Sequence, residues 1–119
     1  MSIEELYAQL GGNYEEAKSR LMNDVLIKRF LLKFANEYDI ALLEQAGNAC
    51  DGKAIFEAAH SLKGVAGNLA LTSLCEKASA LTERTRSCVA GEKVDETAAI
   101  EEILALHRQA VALIKENLQ

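Results

Sequence analysis

The residues best able to do chemistry are His60 and Lys63, which lie in the run His-Ser-Leu-Lys-Gly at positions 60–64. A neutral imidazole has an unprotonated ring nitrogen near neutral pH, so it can act as a nucleophile and carry a transferred group. On a helix, Lys63 would lie beside His60. Its charge should disfavour the imidazolium form and offset a negatively charged group on the ring. The alternative for Lys63 is a solvated surface charge.

The segment from about Gly52 to Leu69 has helical periodicity, and it places His60 on its outer face. With 3.6 residues per turn, His60 lies about 160° around the helix from Leu62. Apolar side chains within about 60° of Leu62 form the stripe that should pack into a core. These are Ile55, Ala58, Ala59, Val65, Ala66 and Leu69. The pattern therefore predicts a solvent-facing histidine opposite a buried stripe.

Two glycines, Gly64 and Gly67, follow His60 on the same outer face. Each glycine inside a helix costs roughly 1 kcal/mol relative to alanine, and core packing does not explain that cost on an outward face. The close approach of another protein or of a bulky reactive group would explain it. Phe56, an apolar side chain on this face, favours a docking surface. The alternative is a fraying helix end and an ordinary surface histidine.

His107 lies in a different pattern, on the last predicted helix. It falls in the middle of an apolar stripe made by Ile100, Ile103, Leu104, Val111, Ile114 and Leu118. This position predicts a packed and hydrogen-bonded structural histidine.

Helix signals recur along the whole chain, strand signals are absent, and no proline interrupts the pattern. Capping residues predict helix starts at Ser2, Asn13 and Asn23, and a further start near Thr72 or Ser73, where Ser73 and Glu76 have capping-box spacing. Four long helices are predicted: about 24 to 46 with a break near Asn36, about 52 to 69, about 72 to 89, and about 95 to 118. Short connections favour an all-α antiparallel four-helix bundle. One or two short N-terminal helices should close one end of this single domain, residues 1–119.

Composition excludes several classes of protein. The net charge of −5 disfavours nucleic-acid binding, which needs a basic face. No apolar run is long enough to insert in a membrane, and the first residues do not form a signal peptide. The cysteines Cys50, Cys75 and Cys88 are odd in number and lack metal-site spacing. They predict no metal site and a reducing, cytoplasmic location, with Cys75 as a small core residue.

The run His60-Ser-Leu-Lys-Gly64, preceded by Ala-Ala and followed by Val-Ala-Gly-Asn-Leu, resembles the histidine phosphotransfer (HPt) domains of two-component phosphorelays. Their hallmark is H-x-L-K-G on a bundle helix. The resemblance covers roughly residues 13 to 118, including an aliphatic and aromatic helix upstream and a short Asp-Gly loop. It implies that His60 is phosphorylated, that Lys63 stabilises charge and that Gly64 gives clearance. One departure is Ala70, where the family usually has glycine, and it concerns the geometry of the helix end.

The resemblance also implies the reaction and the partners. A receiver-domain aspartate would give its phosphoryl group to His60, through Nε2, and a second receiver aspartate would take it. The chain itself has no P-loop and no carboxylate cluster to hold magnesium. The protein would thus be a carrier rather than an enzyme, without a cofactor of its own. The magnesium would belong to the receiver of a response regulator or a hybrid histidine kinase. Docking is predicted at Lys53, Phe56, Glu57 and Gly67.

Two alternatives come from other classes of protein. One is a helical interaction module that has kept the fold and lost the transfer. The other is a carboxylate-bridged metal bundle, because Glu57-Ala-Ala-His60 has the ligand spacing of di-iron helical proteins. That site needs a second such motif, and position 104, three before His107, is leucine.

Overall fold

The computed structural model describes residues 1–119 and contains seven α-helices and no strand. The helices are α1 (Ile3–Leu10), α2 (Tyr14–Leu21), α3 (Asp24–Glu37), α4 (Ala41–Asn48), α5 (Gly52–Asn68), α6 (Thr72–Thr85) and α7 (Thr97–Leu118). The predicted all-α bundle with short N-terminal helices is confirmed, and α3 and α4 occupy the span predicted to break near Asn36. None of the seven helices has both the length and the apolar composition needed to cross a bilayer.

Local capping explains most helix starts. The side chains of Ser2, Asn13 and Asn23 each accept a hydrogen bond from the backbone N–H three residues later. Asp51 does the same for α5 by accepting the N–H of Ala54 at 3.2 Å. The prediction that Ser73 caps α6 is wrong. Ser73 lies inside α6, and its hydroxyl donates to a distant backbone carbonyl, that of Gly11, at 3.1 Å.

The loop between α6 and α7 is longer than predicted, since α6 ends at Thr85 and α7 begins at Thr97. Its backbone bonds to the segment before α5 instead of extending a helix. The N–H of Gly52 donates to the carbonyl of Glu92 at 3.0 Å, and the N–H of Val94 donates to the carbonyl of Cys50 at 3.0 Å. These bonds satisfy the carbonyl of Glu92 and the N–H of Val94, which lie outside any helix.

A continuous cluster of 21 buried side chains forms the core. Helix α5 packs along α6 and α4, while α7 packs along α3, α4, α6 and α1. The apolar stripes of the long helices meet at its centre. Their fully buried members include Ile27, Leu31, Ile55, Leu62, Leu81, Ile103 and Ile114.

The N-terminal helices close the end of the bundle where α5 turns into α6. The Tyr7 side chain is 1% exposed and donates its hydroxyl to the carbonyl of Leu69 at 2.8 Å. The N–H of Asn13 donates to the carbonyl of Ala70 at 2.9 Å. The chain before α3 is therefore tied to the end of the helix that carries His60.

Three residues other than glycine have a positive φ just after a helix end, namely Met22, Cys50 and Ala70. Ala70 has φ +54° and Met22 has φ +80°. A side chain in the left-handed region costs roughly 1–2 kcal/mol. Glycine, the residue that the resemblance implies at position 70, would avoid this cost because it has no Cβ atom.

Candidate functional site

His60 lies on the exposed face of α5, opposite the buried stripe. On the inner face, Ile55, Ala59 and Leu62 are each 0% exposed. The predicted stripe members Ala58 and Val65 are half-buried and pack against the same core. The outward orientation predicted for His60 is therefore confirmed.

The His60 ring rests on an aromatic neighbour. One helical turn earlier, the Phe56 ring stacks on the imidazole with a centroid distance of 5.7 Å and an interplanar angle of 13°. The guanidinium carbon of Arg86, at the end of α6, lies 5.5 Å from the centroid of the Phe56 ring. An imidazole, a phenyl ring and a guanidinium thus form one connected group across two helices.

Charged side chains of α5 and α6 meet beside this group. Arg86 binds Glu83 through two hydrogen bonds, with Nη2 2.7 Å from Oε1 and Nε 3.2 Å from Oε2. These bonds, followed by the charge of Arg86, lower the pKa of the Glu83 carboxyl, and the charge of Lys63 adds a smaller effect in the same direction. Lys63 is half-buried. Glu83 therefore lies close to the cation three residues after His60.

The two glycines after His60 have different surroundings. A Cβ atom built on Gly64 would meet nothing within 4 Å, so the surface beside this residue is open. A Cβ atom on Gly67 would lie 3.5 Å from Sγ of Cys75 on α6, and the Gly67 carbonyl accepts a hydrogen bond from Arg20. The expectation of a shared open face is thus right for Gly64 and wrong for Gly67.

The other predicted docking residues lie before His60 on the same helix. Lys53 and Glu57 are exposed, and Phe56 is half-buried. A docking role for these three residues and for Gly67 stays a prediction.

A groove of about 670 Å³ runs between α3 and α5. It lies beside the helix that carries His60, and the sequence pattern predicts no site at the residues that line it. The exposed Phe30, a large apolar side chain on a charged helix face, was the available signal. The side chains that define it are Leu21, Phe30, Lys33, Phe34, Val65 and Asn68.

His107 is buried between α7 and α3, with 9% of its surface exposed. Phe34 meets its ring edge-on at 5.5 Å, and the Tyr38 ring lies at 6.3 Å. The prediction of a packed histidine is confirmed, but that of a hydrogen-bonded one is wrong for Nε2, which has no partner. Burial lowers the pKa of His107, and the charge of Arg108 contributes a smaller lowering.

Potential metal ligands do not converge in this structure. No group of three or more His, Cys, Asp or Glu side chains is placed to hold a metal ion. Glu57 and His60 both lie on the exposed face of α5. The three cysteines are free, and Cys75 packs against the core and donates its thiol to the carbonyl of Lys63 at 3.6 Å.

Comparisons with known proteins identify the family. The family model of the Hpt domain matches residues 31–116, which include the whole of α5 and its His60-to-Gly64 motif. Searches of curated proteins and of solved structures found no significant match. The family match over most of the chain, on an all-helical bundle that exposes His60, shows that this protein belongs to the Hpt domain family, the histidine phosphotransfer domains of phosphorelays.

Proposed function

We propose that this protein takes a phosphoryl group from the aspartyl phosphate of one receiver domain onto His60 and gives it to the aspartate of a second. One observation carries the proposal: the only exposed histidine of an Hpt family member stands on its motif helix, next to the open surface at Gly64. The chain supplies the nucleophile, and the receiver supplies the rest of the reaction centre. The protein is accordingly a carrier rather than an enzyme.

The transfer exchanges one bond to phosphorus for another. The lone pair of Nε2 of neutral His60 forms the N–P bond while the O–P bond of the acyl phosphate breaks. The aspartate leaves as a carboxylate with the bonding electron pair. The proton on Nδ1 can then pass to water, which leaves a neutral imidazole ring that carries the anionic phosphoryl group. Transfer to the second receiver reverses these steps with a new carboxylate as the nucleophile.

Lys63 and Gly64 would serve this reaction in different ways. Lys63 lies three residues from His60 on the same helix, where its ammonium can offset the charge of the phosphoryl group. Gly64 leaves space in which the receiver backbone can approach the ring, because no side chain occupies it. The magnesium that phosphoryl transfer requires would be held by the receiver, and this chain would need no cofactor of its own.

The groove between α3 and α5 supports docking of a receiver on that side of His60. It is apolar at Leu21, Phe30 and Val65, and Lys33 adds a cation at its edge. Such a surface suits a transient partner that presents an apolar helix beside an acidic pocket. The exposed Lys53 and Glu57 would lie at the opposite end of the contact. The partner would be the receiver of a response regulator or of a hybrid histidine kinase.

The test is transfer from purified phosphorylated receiver domains of the same cell. Wild-type protein should acquire an acid-labile, base-stable phosphate and pass it to a second receiver. The variant His60→Gln, checked for folding by circular dichroism, should acquire none. A folded wild-type protein that takes no phosphate from any receiver would contradict the proposal and favour an interaction module without transfer.

A further inference from the structure

The contact between Phe56 and His60 has a direct effect on the geometry of the nucleophile. An exposed imidazole on a helix is ordinarily free to turn about its two side-chain torsions. Here the Phe56 ring lies nearly parallel to it, 5.7 Å away and at 13°. Offset stacking of this kind is favoured between aromatic rings. It places the phenyl ring beside one face of the imidazole and leaves the exposed ring edge, where the nitrogen lone pairs lie, free to react.

Phe56 is in turn held from the neighbouring helix. The guanidinium of Arg86 lies 5.5 Å from the Phe56 ring centroid, within the range of a cation–π interaction. Glu83 favours this position of Arg86, because it binds the guanidinium through two hydrogen bonds in the fork geometry that arginine and carboxylate share. The order of contacts is therefore Glu83, Arg86, Phe56 and His60.

We propose that Phe56 is a positioning residue for His60, and that Arg86, pinned by Glu83, keeps Phe56 in its stacked orientation. The inference rests on the proposed function of His60 as the phosphoryl acceptor. In-line transfer requires the nitrogen lone pair, which lies in the ring plane, to point at phosphorus. If the imidazole plane of His60 is already fixed before the receiver binds, less side-chain freedom is lost on reaching the transition state.

The location of Phe56 separates this role from docking. Phe56 and Arg86 meet on the α6 side of α5, whereas the apolar groove lies on the α3 side. Phe56 is also half-buried, so only part of its surface is available to a partner. Loss of a docking residue would weaken binding of the receiver, but loss of a positioning residue slows the transfer within the bound complex.

The stacking itself can be tested by NMR in the unphosphorylated protein. The ring current of Phe56 should shift the carbon-bound ring protons of His60 upfield, so Phe56→Leu should move them downfield and leave those of His107 in place. Arg86→Gln should move them by a smaller amount in the same direction. Arg84→Gln is the matched control, because Arg84 is 48% exposed against 50% for Arg86 and pairs with Glu96 instead. Unmoved His60 resonances in Phe56→Leu would overturn the proposal.

The consequence for transfer is measured with a saturating phosphorylated receiver. Phe56→Leu should lower the rate of phosphoryl uptake roughly three- to tenfold, the cost of ordering one free side chain. The receiver concentration at half-maximal rate should stay the same. Phe56→Tyr, which keeps the ring, should restore most of the rate. A raised half-maximal concentration with an unchanged maximal rate would assign Phe56 to docking instead and refute positioning.

The NMR and transfer measurements distinguish a failure of the positioning role of Phe56 from a failure of the proposed phosphoryl transfer. If wild-type protein accepts no phosphoryl group, the proposed function fails, whatever the NMR result. If wild type is phosphorylated and Phe56→Leu matches its rate, the function stands and the positioning role is refuted.

Discussion

His60 and His107 carry the same imidazole in opposite surroundings. His60 is exposed on α5 and has one aromatic neighbour, Phe56, stacked against a single face. His107 is buried on α7, with Phe34 meeting its ring edge-on and Tyr38 close by. In the first case the ring edge is open to solvent, while in the second Nε2 is enclosed and has no partner.

The difference shows that the helix face, rather than the residue type, decides what a histidine can do here. Each ring has a cation nearby in the sequence, Lys63 for His60 and Arg108 for His107. Only His60 combines that cation with an open neighbour, Gly64, beside which an incoming group finds space. The enclosed ring of His107 contributes packing, and it does so at the cost of an unsatisfied polar atom.

The largest effect is expected when each histidine is replaced in turn. His60→Gln should reduce phosphoryl uptake from a phosphorylated receiver to background, because no other exposed imidazole is present. His107→Leu should keep uptake near the wild-type rate. The measurement is transfer of radiolabelled phosphate to each variant, after its folding has been checked. Loss of uptake in a well-folded His107→Leu protein would mean that the assignment of roles is wrong.

The next largest effect is expected from filling the open space that distinguishes the two sites. Gly64→Leu should slow transfer at least roughly tenfold, since a 1 Å displacement of reacting groups can cost still more. It should also raise the free energy of unfolding by about 0.5–1 kcal/mol, because leucine is the better helix former and a new Cβ meets nothing.

Gly64→Ala serves as the graded control in the same assays. It should give a similar gain in stability, measured by urea unfolding, with a smaller loss of rate. Transfer at the wild-type rate in Gly64→Leu would show that clearance at this residue is irrelevant.

A smaller effect is expected on the pH dependence of the free energy of unfolding, to which the buried His107 should contribute. Burial lowers the pKa of His107 in the folded protein below its ordinary value of 6.5. The unfolded chain therefore takes up this proton first as the pH falls, so the folded state loses stability from about pH 6.5 downward until the lowered pKa is passed. Well above pH 6.5, His107 is neutral in both the folded and the unfolded protein, so it does not make stability depend on pH.

The variant His107→Leu should lack this part of the acid-side loss. Urea midpoints of wild type and variant, compared at pH 7.5 and 5.5, measure it. Near pH 7.5 the substitution should be tolerated well, because Nε2 gives up no hydrogen bond. An identical pH dependence of the two proteins would contradict the account of His107.

The smallest expected change leaves both histidines untouched. Met22 is 75% exposed and has φ +80°, so Met22→Gly should relieve backbone strain and raise the free energy of unfolding by about 0.5–1 kcal/mol. Ala70→Gly should gain less, because it also removes a methyl group that is only 3% exposed.

Ala80→Gly, on an exposed position of α6 with ordinary helical geometry, is the control for this pair. It should lower stability by about 1 kcal/mol. Thermal unfolding of the three variants at one pH would compare them. The same sign of change in Met22→Gly and Ala80→Gly would show that the left-handed backbone at Met22 carries no strain.

Features that depend on neighbours in the sequence could be predicted well. The caps at Ser2, Asn13 and Asn23 involve residues three apart, and so does the relation between His60 and Lys63. Ser73 has the same local signature, but its hydroxyl binds the carbonyl of Gly11, 62 residues away. The spacing of residues along the chain cannot show that a distant carbonyl, rather than the start of α6, binds the Ser73 hydroxyl.

The surroundings of His60 also depend on contacts between helices that the sequence pattern does not predict. Periodicity along α5 was sufficient to place His60 outside and Leu62 inside. It could not show that Arg86 of α6 lies over Phe56, since the rotation of one helix against another depends on the packing of both. The different surroundings of Gly64 and Gly67 escaped prediction for this reason, because Cys75 of α6 determines them.

The bond from Tyr7 to Leu69 bears on where the folding unit of this protein begins. The residues that identify the family start at position 31, yet Leu6, Tyr7, Ala17 and Ile27 are almost wholly enclosed. Large apolar side chains contribute about 1.5–3 kcal/mol each when buried, and an ordinary domain is stable by only about 5–15 kcal/mol. A fragment trimmed to the recognisable segment would keep every residue of the motif and lose much of the margin that keeps it folded.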